Sequence, residues 1–311
     1  MPLGFGRSIL SKPIVAESVT AAGAFRQTNA IATDNLAGHT IENIDFDTDS
    51  DLSVVMWVRA DGITDFQDGT SGSTIFQMVK DGTDVTDGEV RIKFNPAARG
   101  WQHMVRDPEQ GSATGFEVEG RGYGTAAEQA TFTFDGSWQC VMMSCQSDHG
   151  TGTNGTSAGT SADNDHEALY VADTQFNINK VQGTGVTTLS TNFTTAHMGY
   201  YNSTPTTSMS DINNIGPGLH RGPMWIYNEF LDFHDQSVRR RFYNPANTDG
   251  FVQPTSTGTT TAGATQPHLY LYWDGTALQN GGSDTVTLTK RTRGTGSFTN
   301  LTDGPGSGGT I

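Results

Sequence analysis

Four aspartates occupy every second position of one short segment: Asp45, Asp47, Asp49 and Asp51. Calcium binds oxygen ligands, and alternating acids supply such ligands in Asp-x-Asp-x-Asp loops. An EF-hand loop beginning at Asp45 would require glycine at its sixth position and glutamate at its twelfth, where this chain has Ser50 and Met56. The segment therefore predicts either a calcium site at the rim of a sheet or an acidic strand edge whose charges prevent pairing with other strands.

A second group of residues could bind sugars through their aromatic rings: Trp101, Tyr123, Tyr200 and Tyr201. They lie near Gly-rich or Asn-rich turns, where a ring can be exposed and stack on a sugar. The alternative is that they fill the core, which is the more frequent use of aromatic side chains.

No other spacing in the chain matches a catalytic or metal-binding motif. His149 and His166 flank a polar loop, but the sequence contains no close His-x-His or His-Glu-x-x-His pattern. Ser144 lacks the Gly-x-Ser-x-Gly context of a nucleophilic serine. We therefore expect no cofactor, with calcium as the one alternative.

The composition excludes two classes of partner. The 311-residue chain has a net charge of -15, and a nucleic-acid binder needs a basic face to neutralise phosphates. A membrane span needs about 18 or more consecutive apolar residues, and no such run occurs. We expect neither a nucleic-acid nor a membrane partner.

The two cysteines, Cys140 and Cys145, fall within one strand-like segment. In an extended strand their Cα atoms would lie roughly 16 Å apart, whereas a disulfide needs less than about 7 Å. Both are predicted to be free thiols, which fits assembly in a reducing cytoplasm.

Short strands dominate the chain. Apolar residues alternate with polar ones in several segments: 89–94, 116–119, 131–134, 269–273 and 285–289. Segments 52–58 and 138–143 are apolar at nearly every position, which predicts central strands covered on both faces. Asp-Gly pairs such as Asp274-Gly275 predict tight turns between the strands.

Only segment 235–243 has a helical pattern, with Asp235 as its cap and Asn244-Pro245 as its end. It predicts two or three helical turns. Residues 146–167 and 253–267 have no periodicity and are predicted to be long polar loops.

Four segments resemble, in order, the laminin-G-like jelly roll of the concanavalin A type: 51–59 (DLSVVMWVR), 135–144 (DGSWQCVMMS), 168–173 (ALYVAD) and 222–232 (GPMWIYNEFLD). The third departs from the family pattern, because Asn-Gly is replaced. The resemblance implies an all-β sandwich of two antiparallel sheets with one short helix. These residues are mostly core positions, so they indicate a fold and not a ligand.

Some proteins of the jelly-roll type that this chain resembles hydrolyse glucans, and they carry a Glu-x-Asp-x-x-Glu pattern on one strand. The nearest match here, Glu117-Val-Glu119, lacks the aspartate and has Gly122 in place of the third acid. Glycosidases need two carboxylates about 5–10 Å apart across the scissile bond. We therefore expect a protein that is not an enzyme.

The two ends resemble virion proteins of tailed bacteriophages, particularly phages of marine bacteria. The segments that carry this resemblance are 1–10 (MPLGFGRSIL), 270–275 (YLYWDG) and 296–305 (GSFTNLTDGP). The resemblance implies a lectin-like jelly roll on the virion surface, as a capsid decoration or head-fibre protein assembled in the host cytoplasm. The alternative is a tail-fibre protein that recognises a host polysaccharide. Other virion proteins, a homo-oligomer and a host glycan are the expected partners.

Residues 1–25 are predicted to form an arm ahead of a single jelly-roll domain over 26–311. Apolar side chains in the arm would be costly to expose, and those expected to dock on another virion chain are Leu3, Phe5, Ile9 and Leu10. The alternative is an arm folded back on its own domain.

Overall fold

The computed structural model describes residues 23–28, 36–46, 51–61, 73–80, 89–95, 100–107, 116–121, 136–145, 167–175, 179–182, 193–199, 220–260, 264–293 and 296–307. The strands are β1 (Ala24–Thr28), β2 (Leu36–Glu42), β3 (Leu52–Arg59), β4 (Ser73–Lys80), β5 (Glu89–Asn95), β6 (Gly100–Asp107), β7 (Phe116–Arg121), β8 (Gln139–Cys145), β9 (Glu167–Val171), β10 (Thr174–Gln175), β11 (Asn179–Gln182), β12 (Phe193–Met198), β13 (His220–Tyr227), β14 (Leu269–Trp273), β15 (Leu278–Asn280), β16 (Thr287–Arg293) and β17 (Ser297–Leu301). The helices are α1 (Gln236–Arg239) and a 3-10 turn (Thr248–Gly250).

These strands form two antiparallel sheets. The nine-stranded sheet has the order β10-β9-β8-β3-β13-β1-β17, and β14 pairs with both β13 and β15. The eight-stranded sheet has the order β11-β7-β6-β5-β4-β12-β2-β16. The predicted all-β fold, two antiparallel sheets with one short helix, is confirmed. Among the described residues, no helix has the length and apolar character that crossing a membrane requires.

The main core lies between the sheets, and strand alternation selects its members. On β3, Val54, Met56 and Val58 belong to this core, whereas Val55 and Trp57 belong to a second apolar cluster on the outer face. Every residue of β3 is buried, as predicted for segment 52–58. The same double burial holds along β8 from Gln139 to Ser144.

The second core is covered by the segment that follows β13, residues 228–260. Phe242 is fully buried, and its ring lies 5.7 Å from that of Trp225, 6.0 Å from Tyr227 and 6.2 Å from Phe233. The Nε1 of Trp225 donates to the carbonyl oxygen of Gly258 at 2.8 Å. A segment with few strand signals therefore closes the outer face of the nine-stranded sheet.

Helix α1 is shorter than the sequence predicts. The Asp235 carboxylate caps it by accepting from the Ser237 amide at 2.7 Å, as expected, but the helix ends at Arg239. Beyond that residue the chain turns, with the Phe242 amide donating to the Arg239 carbonyl oxygen at 2.9 Å. This turn brings Phe242 into the second core, so packing overrides the helical pattern of 240–243.

Arg59, a buried residue at the end of β3, forms hydrogen bonds with the segment that follows β17. Arg59 donates from Nη1 to Asp303 at 2.6 Å and from Nε to Nδ1 of His220 at 3.0 Å. Trp138 Nε1 also donates to the Asp303 carbonyl oxygen, at 2.7 Å. These bonds satisfy the buried guanidinium and fix the C-terminal segment against three strand ends.

The sequence predicts burial of six large apolar side chains, those of Trp57, Phe94, Phe134, Trp138, Leu169 and Trp225. Trp57, Trp138, Leu169 and Trp225 are buried. The side chain of Phe94, in β5, and the whole of Phe134 lie outside the described part of the structure.

Cys140 and Cys145 both lie on β8. Cys140 is a free, buried thiol, and burial raises its pKa well above the ordinary value. The side chain of Cys145 lies outside the described residues.

Two buried histidines lie on adjacent strands of the eight-stranded sheet, His39 on β2 and His197 on β12. Burial, with Arg221 and Lys290 nearby, lowers the pKa of His39 to about 3. Burial, with Arg291 nearby, lowers the pKa of His197 to about 4. Both imidazoles are therefore neutral in the folded protein at neutral pH.

The packing of Phe242 predicts a large stability loss in Phe242→Ala. Truncating a buried phenylalanine costs about 3–5 kcal/mol of unfolding free energy, and urea unfolding measures the change. Thr248→Ala, at an exposed position, is the control and should change stability by less than about 0.5 kcal/mol. Equal stability of the two variants would show that residues 228–260 do not cover a second core.

The lowered pKa values of His39 and His197 predict a specific loss of stability in acid. The unfolded chain takes up protons near pH 6.5 and the folded chain only near pH 3–4, so stability is full above pH 6.5 and falls below it. We expect a loss of roughly 2–5 kcal/mol in unfolding free energy between pH 7.5 and 4.5. His197→Gln should show a smaller drop over that range in urea unfolding, and an unchanged drop would contradict the assignment.

Candidate ligand-binding site

Most residues predicted to bind a partner or ligand lie outside the described residues. This holds for Leu3, Phe5, Ile9, Leu10, Tyr123, Tyr200 and Tyr201. Trp101 lies in β6, where the structure describes the backbone alone. All of these assignments stay predictions.

The predicted calcium segment is described only at its ends. Asp45 is exposed and Asp51 is half-buried, while Asp47 and Asp49 lie outside the described residues. The amide of Asp45 donates to the carboxylate of Asp284 at 3.0 Å. Among the described side chains, no group of three or more acids, histidines or cysteines could hold a metal. Calcium binding stays a prediction.

The two glutamates considered for glycan hydrolysis, Glu117 and Glu119, lie on β7, where the backbone alone is described. Register places Arg106 opposite Glu117 and Met104 opposite Glu119. Directly opposite residues of unlike charge stabilise a sheet. The register therefore favours a structural role for Glu117.

Three aromatic rings form a continuous stack on the outer face of the nine-stranded sheet. The ring of Tyr270 lies 5.2 Å from Trp225 and 5.1 Å from Tyr272, with interplanar angles of 32° and 23°. Trp225 and Tyr270 are buried, whereas Tyr272 is half-buried. The stack thus extends from the second core to the protein surface and ends there at Tyr272.

Residue alternation along β14 determines which of its side chains belong to this stack. Leu269, Leu271 and Trp273 belong to the main core, and Tyr270 belongs to the second core. The sequence pattern of 269–273 predicted this division, but the two tyrosines were not singled out as ligand-binding residues.

A rigid turn joins β14 to β15 beside Tyr272. The Asp274 carboxylate accepts from the Thr276 amide and hydroxyl, both at 2.8 Å, and from the Ala277 amide at 2.9 Å. These hydrogen bonds, with that from the Ala277 amide contributing most, lower the pKa of Asp274 to about 2. Gly275 has a φ of 101°, a value that few other residues adopt. The predicted Asp274-Gly275 turn is confirmed.

This turn orients the amide of Gln279, which register places opposite Tyr272. Its Nε2 donates to the second carboxylate oxygen of Asp274 at 2.8 Å. The amide oxygen has no hydrogen-bond partner among the described residues, and the side chain is half-buried. A fixed acceptor therefore lies next to the half-buried ring of Tyr272.

The pair can bind a ligand with an apolar face and hydroxyl groups at its rim. A tyrosine ring offers a large contact area with few rotatable bonds, so little conformational entropy is lost on binding. The Gln279 amide oxygen can accept a hydroxyl proton, and Asp274 holds it in place before the ligand arrives. A pyranose ring has both features.

No protein-family model and no curated protein matches the chain. Several solved structures do match it. A native heptameric SAP-like pentraxin from Limulus polyphemus matches at 10% identity and a TM-score of 0.44, covering 86% of this chain and 95% of its own. Mouse laminin alpha1 chain domains LG4-5 match at 14% identity and a TM-score of 0.39, and the match covers 68% of this chain and 45% of the laminin chain. A proposed carbohydrate-binding protein from Bacteroides ovatus matches at 10% identity and a TM-score of 0.45, and the match covers 94% of this chain and 63% of the Bacteroides chain. At these TM-scores the likenesses say nothing about ligand or activity.

Proposed function

We propose that this chain is a glycan-binding surface protein without enzymatic activity. The observation that carries the proposal is the aromatic stack that ends at Tyr272 beside the oriented amide of Gln279. The two buried rings of the stack hold the third in place, so the ligand would not have to order it. Binding sites of this kind combine an apolar surface with a few fixed polar groups.

The absence of enzymatic activity is part of the proposal. The Glu117-Val-Glu119 segment lacks the further acids of the hydrolytic pattern, and its register opposite Arg106 favours ion pairing. The protein would thus retain its glycan and not cleave it.

The placement of this activity on a bacteriophage virion rests on the resemblance of the two chain ends alone. In that setting the sandwich would decorate the capsid or head surface, with the arm residues that precede β1 docked on another virion protein. A receptor-binding tail-fibre role is the second candidate, since it would use the same glycan site. A homo-oligomer on the virion surface, assembled in the host cytoplasm, fits either role.

Substitution of Tyr272 tests the glycan site. Wild-type protein and variants would be run by affinity electrophoresis through gels containing single purified polysaccharides, covering neutral, uronate-bearing and sulfated chains. For a polysaccharide that retards the wild type, Tyr272→Ala should weaken binding by about tenfold or more, as expected for a central aromatic contact. Tyr272→Phe keeps the ring and should stay within about threefold.

Thr292→Ala, at an exposed position on β16 of the other sheet, is the control and should bind as the wild type does. The melting temperatures of all variants establish that each remains folded. The proposal fails if no polysaccharide of the panel retards the wild type, or if Tyr272→Ala binds as tightly as the wild type.

A further inference from the structure

Strand β16 forms one edge of the eight-stranded sheet. Its seven residues pair along their whole length with β2, from Thr287 opposite Glu42 to Arg293 opposite Leu36. Within the described part of the chain, no strand pairs with its other side. An edge of this kind leaves about half of its backbone N–H and C=O groups free to accept a further strand.

The same strand concentrates positive charge in an acidic protein. Lys290, Arg291 and Arg293 fall within seven residues, and residues 285–302 contain no aspartate or glutamate, although the net charge of the chain is -15. The segment 285–302 is thus a cationic region of an otherwise acidic chain.

The cations on β16 that the structure describes have no ionic partner among the described carboxylates. Lys290 is exposed, and its Nζ lies 4.9 Å from the ring centre of Phe298. Arg291 is half-buried and donates from Nε to the Thr40 hydroxyl at 3.2 Å. By contrast, Arg59, Arg239 and Arg240 each form salt bridges with aspartates. The charge on β16 is therefore uncompensated within this part of the chain.

We propose that β16 is a docking edge for an extended, acidic polypeptide segment of another protein, which adds a strand to the eight-stranded sheet. Main-chain hydrogen bonds would give such a segment affinity, and side chains at alternate positions would give it specificity. The free backbone edge favours a polypeptide over a polyanionic glycan, because a glycan cannot continue the ladder.

Register defines the sequence pattern that the edge selects. Arg291 and Arg293 share one face of the sheet, opposite Gly38 and Leu36 of β2, and lie about 6.6–6.8 Å apart along the strand. Acids at every second position of the added strand would lie about 5 Å from them. Charges at that distance interact within the Debye length of about 8 Å at physiological ionic strength. Repulsion from the rest of the acidic surface is largely screened at longer range.

The alternative explanation of these cations is edge protection. Lysines on an edge strand prevent pairing with other copies of the same protein. Protection and docking differ in their consequences. Removing a protective charge promotes self-association, whereas removing a docking charge abolishes capture of the acidic segment.

The test uses the full chain and synthetic peptides. A nine-residue peptide of alternating aspartate and threonine, labelled for fluorescence anisotropy, should bind the wild type, with weaker binding at higher salt. The asparagine–threonine counterpart should bind at least about tenfold more weakly, because only the charges differ. The double variant Arg291→Thr/Arg293→Thr, which removes the two cations that share a face, should likewise weaken binding at least about tenfold. Arg240→Gln, which removes a cation paired with Asp173, is the control and should bind as the wild type does.

Two outcomes would overturn the proposal. If polygalacturonate, or an aspartate peptide with proline at every third position, competes as well as the alternating peptide, the edge recognises charge and not a strand. If the alternating peptide does not bind and the double variant self-associates in size-exclusion chromatography, the cations protect the edge. The Tyr272 site lies on the other sheet, so neither result bears on glycan binding.

Discussion

The nine-stranded sheet is apolar on both faces, and that constraint determines how the rest of the chain is arranged. One face packs against the eight-stranded sheet, which leaves Trp57, Trp225 and Tyr227 on the other. Leaving side chains of this size in water would cost roughly 1.5–3 kcal/mol each. Residues 228–260 must therefore fold over the outer face, and the short helix and the polar turn near Gly258 are parts of that cover.

The same constraint brings the ligand-binding candidate to the surface. Strand β13 pairs with β3 along one side and with both β1 and β14 along the other. Its register shifts between Arg221 and Met224, and a Cβ added to Gly222 would lie 2.8 Å from Pro305 and 3.0 Å from Trp57. At this irregular, close-packed stretch the partner along one side of β13 changes from β1 to β14. The outer face of β14 then continues the second core from Trp225 through Tyr270 to Tyr272.

Residue alternation predicted the strands and the faces of their side chains. It identified 52–58 as a doubly buried strand and divided 269–273 correctly between two faces, because a strand places successive side chains on opposite sides. It did not predict what covers each face. The Trp225 indole bonds to Gly258, within a Thr- and Gly-rich segment that has no periodicity, and such tertiary contacts leave no local signal. The helix was overpredicted for the same reason, since the burial of Phe242 outweighs the helical preference of 240–243.

The candidate site was only partly foreseeable. The Asp274-Gly275 turn was evident from its residues, but the role of Asp274 in orienting Gln279 depends on a pairing between two strands that the sequence does not specify. The aromatic residues first considered for glycan binding stood near turns, whereas the described stack starts from a buried tryptophan. A ring supported by others is a better platform than an isolated one, because its position is already fixed.

The most direct test of this account is a crystal structure of the protein with an oligosaccharide cut from a polysaccharide that it retains. The account predicts a sugar ring parallel to Tyr272, with a hydroxyl within hydrogen-bonding distance of the Gln279 amide oxygen. A sugar bound elsewhere, for example at Trp101, with Tyr272 uncovered, would contradict it.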